Sequence, residues 1–166
     1  MHIDKYERYW IIAVSVTLGL FMSALIVGAV VFGVRSPDSG GFINPQELNE
    51  SQFADWGVRD MGDNHYEVIM IAQMWAFLPR EVRVPEGATV DFVITSRDVT
   101  HGFIIEHHNV NFELVPGHIA RARVTFNEAG VYHYICHEYC GRLHEEMWGQ
   151  IIVEEAVEEV AIGNEE

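Results

Sequence analysis

Positive charge is scarce in this chain. Ten lysines and arginines face 25 aspartates and glutamates, for a formal net charge of −15, and Lys5 is the only lysine. Nucleic-acid binding needs a basic surface, so that class is excluded. Cysteine is scarcer still: Cys136 and Cys140 are the only two. They allow one disulfide or one pair of thiolates. Charge of either sign is missing from Tyr9 to Val34, and no internal repeat is present. A length of 166 residues bounds the chain to one ordinary domain plus any membrane segment.

The charge-free run is the first positive signal. At about 1.5 Å of helical rise per residue, residues 9–34 are long enough to span a bilayer, with Tyr6, Tyr9 and Trp10 suited to one interface. The run exceeds a signal-peptide core and no A-x-A site follows it, which favours a retained anchor. Lys5 and Arg8 precede it and Arg35 follows. The positive-inside rule therefore puts residues 1–8 in the cytoplasm and the large domain outside. Residues 35–63 read as a linker, turn-rich at SPDSGG, carrying one short helix. Asn44 would be its N-cap, Pro45 its first residue, Glu47 the capping-box partner, and Leu48 and Phe53 its apolar side. Residues 64–153 read as short strands broken by Pro79, Pro85-Glu86-Gly87, Pro116-Gly117 and Glu128-Ala129-Gly130. That pattern predicts a Greek-key sandwich or barrel. Residues 154–166 are an acidic, solvated tail.

Both cysteines sit in CHEYCGRLHEEM, with His144 and Met147 behind them. Two thiolates, an imidazole and a thioether form a soft ligand set, suited to copper, zinc or iron–sulfur rather than magnesium or calcium. The flanking runs VYHYI and WGQIIVE, with Gly141 between them, predict a loop joining two strands. His101, in SRDVTHGFII, is the best further ligand. A disulfide would leave the two histidines and the methionine unexplained, and methionine is a poor zinc ligand. His133 reads as a hydrogen-bonded strand residue. His107, His108 and His118 read as surface residues, and His137 occupies no ligand position.

The pattern C-x-E-x-C-x-x-x-H-x-x-M, with DVTHGF upstream, resembles the dinuclear CuA site of subunit II of haem–copper oxidases, the cytochrome c oxidase subunit II family. The resemblance covers nearly all of residues 64–153 and implies a cupredoxin domain on one N-terminal transmembrane helix, as in B-type oxidases. It makes Cys136 and Cys140 bridging thiolates, with His101 and Met147 completing one copper. His144 and the main-chain carbonyl of Glu138 complete the other. It implies a magnesium ion at the Glu138 side chain, shared with subunit I, and electron uptake through the aromatic segment at Trp75, with Phe77 as second candidate. The implied partners are membrane lipid, a haem-bearing subunit I, and a soluble donor that is cytochrome c or a small blue copper protein. Electrons would pass to haem in subunit I, where oxygen is reduced to water with proton pumping. Nitrous oxide reductase shares the site but needs a second domain for which this chain has no room. A membrane-tethered copper chaperone or sensor is the binding-protein alternative. The acidity fits steering of a basic donor or adaptation to high salt.

Overall fold

A computed structural model describes residues 4–31 and 38–155. Expectations for residues 1–3, 32–37 and 156–166, including the end of the apolar span, part of the linker and most of the acidic tail, fall outside the described residues. The chain divides into two compact units, Met1–Ser36 and Pro37–Glu166.

The described part of the first unit carries one helix, α1 (Lys5–Val31), of 27 residues. Asp4 caps it, its side chain accepting a hydrogen bond from the Tyr6 N–H at 2.9 Å. No residue of α1 is buried, and it is long and apolar enough to cross a membrane. Ser23 returns its hydroxyl to the Gly19 carbonyl at 2.8 Å, so the helix satisfies its own polar group.

The second unit is mainly β, as the strand pattern predicts. Its strands are β1 (Asp38–Phe42), β2 (Gly57–Gly62), β3 (His65–Gln73), β4 (Ala76–Leu78), β5 (Glu81–Pro85), β6 (Ala88–Ser96), β7 (His101–Ile105), β8 (Val110–Leu114), β9 (His118–Phe126), β10 (Gly130–Ile135) and β11 (Trp148–Glu154). One sheet runs β1-β9-β6-β3-β2, with β4 also paired to β3; the other runs β5-β11-β10-β7-β8. Pairs β3–β6 and β5–β11 are parallel and the rest antiparallel.

Period-two alternation builds the core. Val68, Met70 and Ala72 of β3 and Val90, Phe92 and Ile94 of β6 share one cluster with Phe103 and Ile105 of β7, Tyr134 of β10 and Ile151 of β11. Cys136, Cys140 and Met147 belong to the same cluster. The sulfur ligands are thus an extension of the core. The other face of the six-stranded sheet, at Ile69, Ile71 and Val93, is covered by Leu48 and Phe53.

The stretch 35–63, expected as a linker with one short helix, also supplies β1 and β2. They pair with β9 and β3 respectively. Both strands are rich in glycine and polar residues, which is why composition reads them as loop. The helix is two 3-10 turns, Pro45–Glu50 and Gln52–Asp55. Ser51 in extended conformation separates them and caps the second, accepting from the Phe53 N–H. Asn44 caps the first through the Gln46 N–H. Glu47 leaves helical geometry, and no hydrogen bond from its side chain back to Asn44 occurs among the described residues.

Candidate metal centre

The site sits where β10 ends, β7 begins and the 136–147 loop folds over. The Cys136 N–H donates to the Met147 carbonyl at 3.0 Å, so the loop's two ends continue the β10–β11 pairing. A single 3-10 turn, His144–Glu146, then brings His144 back toward the cysteines. His101, the first residue of β7, points inward and is fully buried.

These elements bring most of the expected residues together. Ligand atoms of His101, Cys136 and Cys140 lie within 4.8 Å of one another. The two sulfurs are 3.8 Å apart, far beyond a disulfide bond of about 2 Å, so both thiols are free. His101 Nδ1 stands 3.9 Å from Cys136 Sγ, and the Glu138 carbonyl 3.3 Å from it. On the other side, His144 Nδ1 is 3.5 Å and Met147 Sδ 3.7 Å from Cys140 Sγ. The Glu138 side chain points to solvent. Two thiols, two imidazoles, a thioether and a carbonyl exceed what one four-coordinate ion takes up, and the set is soft. This donor chemistry fits copper.

Asp98 was not legible in the sequence as part of the site. Its carboxylate takes the His101 Nε2–H at 2.8 Å and is itself held by the Met74 and Val99 N–H groups, each at 2.7 Å. With Nε2 bonded to Asp98, Nδ1 faces the sulfurs, where loss of its proton frees the lone pair that a metal-ligating histidine needs. The spacing D-x-x-H is the only available signal, and a carboxylate there reads equally as a turn residue.

Electrostatics divide the two thiols. Burial alone would raise Cys136, but hydrogen bonds from His101 and from the Gly102 and Glu138 backbone outweigh it and bring the thiol down to about 7. Burial and the neighbouring Cys136 charge push Cys140 up to about 12. Burial would lower His101, yet its bonds to Cys136 and Asp98 raise it. Without a cation the site therefore holds one thiolate; a cation has to displace the Cys140 proton and, where the ring is charged, the His101 proton as well.

Trp75 lies in the turn between β3 and β4, half-buried, and its indole N–H donates to the Cys140 carbonyl at 3.2 Å. Gly141 makes room for it: a Cβ there would sit 2.8 Å from the indole nitrogen. Phe77 is fully buried in the core. His133 bonds Glu106 at 2.9 Å, as a strand histidine should.

Residues 66–157 match the family described as cytochrome c oxidase subunit II, periplasmic domain. The cytochrome c oxidase subunit 2 of Thermus thermophilus is 35% identical over 155 residues, spanning 90% of this chain and 92% of its own. The chain belongs to the cytochrome c oxidase subunit II family. A haem–copper terminal oxidase dimer solved by cryo-electron microscopy contains a chain similar to this one. It shows 32% identity and a TM-score of 0.77, over 90% of this chain and 100% of that one. The periplasmic domain of subunit II from Bradyrhizobium japonicum aligns at TM-score 0.50 and 21% identity, over 54% of this chain and 83% of that domain, a likeness of fold. The fold of this subunit II is cupredoxin-like, and the chain is a subunit of a haem–copper oxidase, an oxidoreductase complex.

Proposed function

We propose that this chain is the electron-accepting subunit of its oxidase, taking electrons from a soluble donor at a dinuclear copper centre and passing them to haem in subunit I. The convergence of two imidazoles, a thioether and a carbonyl around two free thiols carries this reading. Cys136, Cys140, His101, His144, Met147 and the Glu138 carbonyl would hold the ions. A bound copper pair of this kind supplies one-electron storage, the charge change being spread over two ions and two sulfurs.

The chain's own residues do the rest. Asp98 fixes the His101 ring, and Met147, Cys136 and Cys140 exclude water by burial. Trp75, bonded to the Cys140 carbonyl, offers a half-exposed aromatic path to a donor, either cytochrome c or a small blue copper protein. Oxygen reduction to water and proton pumping would belong to subunit I. The Glu138 carboxylate, facing solvent, is free to meet a magnesium ion shared with that subunit. The helix α1 would anchor the chain in the cell membrane with the copper domain on the outer side.

A copper chaperone or sensor would need an open, exchangeable site; His101 and Met147 here are each 0% exposed. Affinity purification of the full chain from its native membrane separates the two readings. A haem-bearing membrane subunit should copurify in stoichiometric amount. Copper-loaded chain recovered without haem would overturn the oxidase reading and favour the carrier.

A further inference from the structure

Gly102 and His137 each adjoin a residue of the proposed copper site, and the side of each that faces away from it has no role so far. The β10–β7 register pairs Tyr134 with Ile105 and Ile135 with Ile104; continued by two residues, it sets His137 opposite Gly102. Side chains alternate along both segments. His101 and Cys136 therefore point inward to the site, and positions 102 and 137 point to the opposite face.

On that outer face the imidazole of His137 lies against the Gly102 backbone. A Cβ on Gly102 would stand 2.6 Å from both Cγ and Nδ1 of His137 and 2.7 Å from Cδ2. Gly102 is not among the glycines with positive φ, so its backbone does not require glycine. What requires it is the ring. The Gly102 backbone is also among the groups that lower the Cys136 thiol. Adjacent residues thus meet on opposite faces: His101 faces the Cys136 sulfur on the inner side, and Gly102 carries the His137 ring on the outer side. Hydrogen bonds to ligand sulfur are one of the protein's levers on a metal centre.

We propose that His137 and Gly102 are positioning residues: the ring, seated on the glycine, clamps the start of β7 to the copper loop and holds the Gly102 N–H and His101 against Cys136. The inference rests on the copper-centre reading above and adds to it a pair of residues outside the ligand set.

The test is a double-mutant cycle on the full chain in detergent, with Gly102→Ala, His137→Ala and the pair together. Copper release rate, copper paramagnetic resonance and copper-free melting temperature are measured for each. His137→Ala should keep the fold and the copper count but release copper roughly 10-fold faster, with altered hyperfine structure. Gly102→Ala should do worse, because the new methyl drives the ring off. Adding His137→Ala to it should recover much of the loss, in melting temperature as well as in copper release, since the obstacle is gone. If Gly102→Ala fails to fold, a folded double variant supports the clamp and an unfolded one overturns it. A double variant as impaired as Gly102→Ala, or a His137→Ala protein with wild-type release and spectrum, also overturns it. Failure of the wild-type chain to take up copper would instead sink the underlying functional reading.

Discussion

The two cysteines stand 3.8 Å apart in one loop, yet their surroundings differ. Cys136 directly follows a strand and meets groups that the sheet already holds in place: His101, braced by Asp98, and the Gly102 backbone. Cys140 lies mid-loop, and its neighbours His144 and Met147 come from the same loop. One thiol is brought down to about 7 and the other pushed up to about 12. The difference teaches that both halves are in place, but the sheet readies one thiol to ionise while the other gives up its proton only to a cation.

Removing either thiol tests this most severely. Cys136→Ser and Cys140→Ser should each abolish the two-copper centre and electron uptake. Cys140→Ser, which keeps the braced half, should still hold one copper, roughly 10-fold more tightly than Cys136→Ser. Equal affinities, measured by competition with a chelator, would erase the distinction.

Asp98→Asn comes next. It keeps the size but removes the charge that fixes His101, and should weaken copper binding by roughly 10- to 100-fold. No carboxylate braces His144 among the described residues, so no counterpart is expected on the Cys140 side.

The proton count sharpens the contrast. Above about pH 7 Cys136 is already a thiolate, so loading releases the Cys140 proton, together with the His101 proton while that ring is charged; below about 7 the Cys136 proton leaves as well. Apparent copper affinity should therefore rise with pH throughout, more steeply below about 7 than above it, by about tenfold per pH unit for each proton displaced. Thiolate absorbance of the copper-free protein checks the same point. One thiolate should appear near pH 7, and two appearing together near pH 9 would contradict the split.

Trp75→Phe should have the smallest effect on the site itself. Loss of the indole bond to the Cys140 carbonyl costs about 0.5–1.5 kcal/mol of stability. Stopped-flow reduction by the donor should slow while copper content stays unchanged; lost copper would make Trp75 a structural residue.

The same contrast explains what the sequence disclosed. The loop ligands Cys136, Cys140, His144 and Met147 were legible because they fall within one short segment of soft residues. His101 was legible as a histidine between two apolar runs. Asp98 was not, because its role depends on a tertiary contact that a carboxylate three residues from a histidine does not announce. Gly102 and His137 meet only across two strands, so spacing alone could not pair them. In the fold, alternating strands such as β6 and β9 were evident, whereas β1 and β2 were hidden by their glycine and polar residues.

Electron paramagnetic resonance of the copper-loaded full chain tests the central claim most directly. The account predicts two copper ions per chain and the hyperfine pattern of one unpaired electron shared equally between two copper nuclei. The pattern of a single copper nucleus at full loading would contradict it.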